Sequence, residues 1–137
     1  MGEVRVRVKL ANAVDLGLVR RNLLKPEDVH FYEAEALVDT GAVSLVLPSF
    51  VVQQLHLARP FKQVAEYADG RREEVDVTEP VLVELMGRQT QEEGLVLGDE
   101  VIIGQTTLEK VDLYVDCRKR RLLPNPAHPD QPVLKVK

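Results

Sequence analysis

The chain carries an aspartate, a threonine and two small residues directly after an apolar run. The segment is Ala36-Leu37-Val38-Asp39-Thr40-Gly41-Ala42. A tight turn after a strand can hold a carboxylate at the floor of a cleft, because Thr hydrogen-bonds to backbone and Gly tolerates unusual backbone angles. Two such carboxylates that share one proton can hydrolyse a peptide bond: one activates a water and the other polarises the carbonyl. Asp39 is therefore the first candidate catalytic residue.

Taken alone, this tripeptide has a simpler interpretation that stays open. Asp-Thr-Gly is short, and the same residues are common in turns that only cap the end of a strand. The other reactive side chains suggest no competing site. Ser44 lacks a Gly-x-Ser-x-Gly turn, and Cys117 has no neighbouring His and is expected to be buried. We predict no metal site and no cofactor, because no Cys or carboxylate stands at ligand spacing from the histidines, His30, His56 and His128.

Composition limits the class of protein. The chain has 137 residues, 45% of them hydrophobic and 4% aromatic, without Trp, so a Val- and Leu-rich core and a single domain over residues 1–137 are predicted. The net charge of −4 gives no general attraction to nucleic acid or to an anionic membrane. One cysteine, no signal-peptide pattern and no apolar stretch of membrane-spanning length predict a cytoplasmic protein.

Hydrophobic periodicity predicts many short strands. Val4, Val6, Val8 and Leu10 alternate with charged residues, which is typical of a half-buried strand. Further strands are predicted at 29–38, 45–47, 61–67, 71–78, 80–85, 94–97, 101–103, 113–115 and 122–123, and helical segments at 15–24, 50–57 and 106–110. Asp69-Gly70 favours a tight hairpin turn between two of these strands. The pattern predicts a mainly β, barrel-like domain with one or two short helices.

Three further motifs follow in a fixed order and carry a family resemblance. They are the hairpin tip Tyr67-Ala68-Asp69-Gly70, the run Ile102-Ile103-Gly104 with Leu108 after it, and the segment Arg121-Leu122-Leu123-Pro124-Asn125-Pro126. Together with Leu37 to Ala42, this order resembles the retropepsin-like (retroviral-type) aspartic proteases, and most closely a microbial single-domain branch. The resemblance runs from about residue 4 to residue 126.

The resemblance implies a closed acid-protease barrel half, an aspartic endopeptidase activity and a homodimer. It implies a catalytic Asp39, a Thr40 that bonds across the dimer, a Gly41 near substrate, and a structural Ile103-Gly104 beneath the loop. It also implies a substrate-covering flap at about residues 63–77. Since the chain has one Asp-Thr-Gly, the second carboxylate would come from a second copy across a two-fold axis.

Two expectations remain: the working pH, which depends on Ala42, and the alternative functions. Pepsin-like enzymes commonly have Ser or Thr where this chain has Ala42, so we expect an optimum nearer neutral pH. The main rival function is a peptide-binding module of the same fold that grips an extended peptide without cutting it. A more distant rival is a nucleic-acid-binding barrel that uses the basic run at residues 118–121, which we interpret instead as a charged turn.

Overall fold

The computed structural model describes residues 3–136. Within this range the strands are β1 (Val4–Asn12), β2 (Phe31–Val38), β3 (Leu45–Leu47), β4 (Phe61–Glu66), β5 (Arg72–Leu85), β6 (Arg88–Val96), β7 (Ile102–Ile103), β8 (Leu113–Asp116) and β9 (Arg121–Pro124). The α-helices are α1 (Ala13–Arg20), α2 (Ser49–Gln54) and α3 (Gln105–Val111), and Pro26–Asp28 forms a 3-10 turn.

Six of these strands close into a barrel. Across the described chain the sheet order is β1-β2-β7-β3-β6-β5-β4, and β1 also pairs with β5, so all of these strands except β4 form a ring. β4 pairs with β5 outside the ring, and β8 and β9 form a separate hairpin. The prediction of a mainly β, closed-barrel fold is therefore confirmed.

The core lies inside this ring and beneath the helices. Leu10, Leu45, Val81, Val83 and Ile103 are fully enclosed. In β1 the predicted alternation is present, because Val8 and Leu10 are buried whereas Arg7 and Lys9 are exposed. The charged residues thus mark the outer face of the barrel, and the apolar ones fix which face points inward.

Two parts of the predicted fold need correction. The fold was predicted to have one or two short helices, whereas residues 3–136 contain three α-helices. β5 was predicted as two strands separated near Pro80, but it is a single strand of 14 residues with a register shift between Val77 and Pro80. A bulge tolerates Pro, which has no N–H to donate. At the register shift the Thr78 hydroxyl accepts a hydrogen bond from the Gly94 N–H at 2.9 Å, the role that a backbone carbonyl has elsewhere in the ladder.

A clasp formed by Arg88 and Asp112 fixes the segment that follows β9. Arg88 is buried and its guanidinium donates to the carbonyl oxygens of Val111 and Asp112, both at 2.9 Å, and of His128 at 3.2 Å. Two of these acceptors lie at the C-terminal end of α3, where a cation is favourable. Residues 133–136 belong to no strand in the described chain. No helix within residues 3–136 is long and apolar enough to cross a membrane.

Candidate active site

Asp39 is the first residue after β2, one of the strands of the barrel. Its N–H donates to the Ile103 carbonyl at 3.0 Å, which continues the parallel pairing of β2 with β7 past the end of the strand. Its carboxylate Oδ1 accepts the Gly41 N–H at 2.9 Å, and the Ala42 N–H donates to the Asp39 carbonyl at 3.1 Å. The loop is therefore a tight turn that points a solvent-exposed carboxylate outward.

Gly104 lies against the far side of this loop. A Cβ at Gly104 would stand 2.7 to 2.8 Å from the carbonyl oxygens of Ala42, Val43 and Ser44. The N–H groups of the next two residues, Gln105 and Thr106, donate to Ala42 and Val43 at 2.8 and 3.1 Å. Only a residue without a side chain permits so close an approach. Gly104 therefore lets the start of α3 bind the backbone of the loop that contains Asp39.

β7 lies between β2, which leads into the Asp39 loop, and β3, which follows it, and pairs with both. Ile102 pairs with Leu37 of β2 in parallel and with Val46 of β3 in antiparallel fashion, and Ile103 pairs with Val38. Ile103 is also completely buried. The loop thus begins and ends on strands that flank β7, which fixes the position of Asp39 relative to the barrel.

Asp39 and Thr40 also line an open cavity of about 240 Å³. The remaining lining residues come from β1, β2, β8 and the segments beside them: Glu3, Val4, Leu37, Val38, Val115 and Cys117. Cys117 was expected to be buried, but it is exposed in the turn after β8. Glu3, Val115 and Cys117 were missed at the sequence level because they are far from Asp39 along the chain and carry no motif.

The predicted flap is a hairpin formed by β4 and β5. At its tip the Tyr67 N–H donates to the Arg71 carbonyl at 2.8 Å, and the Gly70 N–H donates to the Tyr67 carbonyl at 2.9 Å. Gly70 has φ +85°, a conformation that favours glycine. Ala68 and Asp69 lie at the tip, and the Asp69 carboxylate accepts the Arg71 N–H at 2.9 Å.

Opposite charges stabilise the base of this hairpin. Lys62 Nζ lies 2.9 Å from Asp76 Oδ1, and an Arg59 guanidinium nitrogen lies 3.3 Å from Oδ2. The hydrogen bonds from Lys62 and Arg59 hold the pKa of Asp76 below its usual value, and Asp76 raises the pKa of Lys62. Within this hairpin β4 pairs with β5, and β5 continues into the barrel. No hydrogen bond found within residues 3–136 joins the hairpin tip to the Asp39 loop.

The structure therefore brings some of the predicted site residues together and leaves others apart. Asp39, Thr40, Gly41 and Ala42 share one loop, and Ile103 and Gly104 support it. The hairpin-tip residues Tyr67, Ala68, Asp69 and Gly70 belong to the turn between β4 and β5, separate from this loop. Within the described residues no group of three His, Cys, Asp or Glu side chains is arranged to hold a metal ion.

The chemistry available to a single copy of this loop is limited. Asp39 Oδ1 accepts a hydrogen bond from the Gly41 N–H, and the carboxylate has room on its solvent side for a water or a second carboxylate.

Neither a family model nor a curated protein was found to match this chain.

Proposed function

We propose that this chain is one subunit of a homodimeric, retropepsin-like aspartic endopeptidase in which Asp39 supplies half of the catalytic pair. The observation that carries the proposal is the exposed carboxylate of Asp39 in a tight turn, fixed through backbone contacts by β7 and Gly104. A carboxylate that only capped a strand would need no such support from a distant part of the chain. A rigid loop is what catalytic positioning demands.

Hydrolysis needs a second acid, and a second copy of the chain can supply it. The chain has one Asp-Thr-Gly, and Asp39 is exposed, so the Asp39 carboxylates of two copies can approach across a two-fold axis. One ionised carboxylate then takes a proton from a water held between the pair. The protonated carboxylate donates a hydrogen bond to the scissile carbonyl, and the water oxygen adds to the carbonyl carbon. Thr40 is exposed beside Asp39, and in this proposal it contacts the partner loop.

The substrate in this proposal is an extended peptide. It lies between the Asp39 loops and the flap and binds through main-chain hydrogen bonds, with side chains alternating into pockets. The hairpin from β4 to β5 supports this role, because β4 lies outside the ring and, within residues 3–136, pairs only with β5. Closure of such a flap would exclude water other than the nucleophile from the cleft.

A statine-type peptide inhibitor tests the proposal by stoichiometry. Its hydroxyl binds between two aligned carboxylates, so we expect saturation at one inhibitor per two chains in a calorimetric titration. Asp39→Asn should abolish tight binding, whereas Asp99→Asn, which neutralises another exposed aspartate, should not. Binding of ordinary peptides that survives in Asp39→Asn, with no hydrolysis by the parent protein, would instead identify a peptide-binding module.

Dilution tests the dimer independently. Because each active site needs two chains, specific activity should fall as the protein is diluted through the dimer dissociation constant. Sedimentation at the same concentrations gives the fraction of dimer. Full activity from a demonstrably monomeric protein would mean that the second acid lies elsewhere in the chain.

A further inference from the structure

β4 is the free edge of the sheet. It pairs with β5 on one side, and no strand within residues 3–136 pairs with its other side. An unpaired edge presents N–H and C=O groups that can template another strand. Two large apolar side chains of β4, Phe61 and Val64, are also 60% and 58% exposed. This edge therefore offers both backbone groups and apolar surface to a partner.

The β4–β5 register identifies which backbone groups are free. Tyr67 donates its N–H to the Arg71 carbonyl, and the same register continues inward through Ala65↔Glu73 and Gln63↔Val75. In an antiparallel ladder, hydrogen-bonded pairs alternate with pairs that are not hydrogen-bonded. The odd-numbered residues therefore direct their N–H and C=O groups toward β5. The even-numbered residues, Lys62, Val64 and Glu66, direct theirs toward the open edge.

We propose that β4 is a self-association edge, at which β4 of a second copy of this chain pairs antiparallel about a two-fold axis through Val64. In this register Val64 faces the second copy's Val64, and Lys62 faces the second copy's Glu66. All three outward-directed residues then form hydrogen-bonded pairs, and Phe61 faces the second copy's Tyr67. The interface is isologous, so each contact occurs twice.

The charges on β4 favour this register. Lys62 already lies 2.9 Å from Asp76, and Glu66 lies 2.9 Å from Arg72, on the same face of the hairpin. Across the proposed axis the row becomes Asp76, Lys62, then Glu66 and Arg72 of the second copy, with signs that alternate throughout. Opposite charges placed directly across two strands stabilise the pairing, and like charges weaken it.

Other registers lose this complementarity. A shift by two residues in either direction keeps the same backbone groups in use but places Val64 opposite Lys62 or Glu66. The charged pairs and the apolar contact at the axis are then both lost. The pairing surface is short, so we expect weak, concentration-dependent association and not a permanent dimer.

Complementary charge reversals provide the test. Lys62→Glu places a second carboxylate opposite the second copy's Glu66, and Glu66→Lys places a second ammonium group opposite Lys62, so each variant alone repels its own copies. In a mixture of the two variants, each pair that faces across the interface is again of opposite sign, while the pairs within each chain, with Asp76 and Arg72, are the same as in the separate variants. Sedimentation at low salt should show self-association weakened at least about tenfold in each variant and recovered on mixing. The matched control mixes Lys25→Glu with Glu109→Lys, two exposed sites away from β4, and should show no effect of mixing.

Cross-linking locates the axis. In a Cys117→Ser background, Val64→Cys should form a disulfide-linked dimer, since facing residues of a hydrogen-bonded pair have Cα atoms about 5.5 Å apart. Lys62→Cys should not cross-link to itself, because its copies would lie about 14 Å apart along the strands.

The mixing experiment can be repeated with Thr40→Glu added to both variants, which places like charges where the two loops meet in the proposed active-site dimer and so separates that dimer from this interface. Recovery on mixing should persist there. A mixture no heavier than its components, or a wild-type protein that associates no more than the single variants, would overturn the proposal. In that case the β4 edge would not bind a second copy of this chain, and an extended segment of another protein would be the alternative partner.

Discussion

Gly104 is held so close to Ala42 that an added Cβ would lie 2.8 Å from the Ala42 carbonyl oxygen. This contact joins residues that are far apart along the chain and places the start of α3 against the loop that carries Asp39. The loop is consequently attached to α3 through backbone contacts and not through the Asp39 side chain.

Gly104→Ala should displace the Asp39 loop. The new methyl group would meet three backbone carbonyl oxygens at 2.7 to 2.8 Å, and these belong to the loop itself. We expect a loss of about 1–3 kcal/mol in the free energy of unfolding. We also expect a fall in kcat/KM larger than that stability loss explains, measured under conditions where the variant remains folded.

Gly17→Ala is the matched control for this substitution. Gly17 lies within α1, and a Cβ there would meet only Arg20 and Arg21 side-chain atoms at 3.6 and 3.8 Å. Alanine at this position should raise stability by up to about 1 kcal/mol and leave activity unchanged. Equal losses in the two variants would contradict the role assigned to Gly104.

The Asp112 carboxylate should make the stability of the Arg88–Asp112 clasp depend on pH. Asp112 ends α3 in a left-handed conformation (φ 58°), and its carboxylate accepts hydrogen bonds from Asn125 at 2.9 Å and from the Val133 N–H at 3.1 Å. His128 Nδ1 lies 2.6 Å from the same carboxylate. The hydrogen bond from Asn125 and the contact with His128 hold the pKa of Asp112 below its usual value of 3.8.

The sign of this effect follows from proton binding. Because the pKa is lower in the folded protein, the unfolded chain takes up the proton first as the pH falls. The stabilisation is therefore complete above pH 3.8 and is lost as the pH falls below it toward the folded-state pKa. Asp112→Asn retains a residue suited to the left-handed conformation but removes the titrating group.

The difference in free energy of unfolding between the wild type and Asp112→Asn measures this contribution. We expect it to be larger at about pH 6 than at about pH 3, from urea denaturation at each pH. A difference that stayed constant, or grew as the pH fell, would show that the Asp112 carboxylate does not stabilise the clasp.

Ala42→Ser should shift the acid limb of the pH profile if Asp39 is catalytic. Ala42 follows the Asp-Thr-Gly turn directly, and a serine hydroxyl there can donate a hydrogen bond to the catalytic pair. Such a bond favours the ionised form, so the acid limb of kcat/KM should move downward by up to about one pH unit. Val43→Thr, at an exposed neighbouring position, is the control and should leave the limb in place. An acid limb that stayed in place or moved upward in Ala42→Ser would contradict this explanation, though not the assignment of Asp39.

The sequence predicted the barrel better than its irregular parts. β1 was recognised because its apolar and charged residues alternate, and β7 because it lies in a short, wholly apolar run. β6 was predicted only at residues 94–97, yet it spans Arg88–Val96. Its N-terminal half carries the buried polar residues Arg88 and Glu92, which a hydrophobic pattern cannot distinguish from a surface loop.

The candidate site and the contacts around it were likewise predicted only in part from the sequence. The Asp39 turn could be predicted because it depends on a local backbone demand that restricts residue type. The position of Gly104 was expected only from the family resemblance, because its contacts are with a distant part of the chain. The Arg88–Asp112 clasp could not be predicted, since its acceptors are mainly carbonyl groups, which every residue possesses. The free edge of β4 likewise required the pairing of the whole sheet, because an edge strand and an internal strand can have the same sequence pattern.

The most direct test of the central claim is the rate of peptide hydrolysis by Asp39→Asn. Asparagine has nearly the same shape but can neither share a proton nor activate a water, so kcat/KM should fall by at least about a thousandfold. Asp99→Asn should keep the parental rate, and sedimentation and thermal melting should show Asp39→Asn folded and assembled like the parent. A folded Asp39→Asn protein that cleaves a peptide library as fast as the parent would contradict the claim that this carboxylate carries out the reaction.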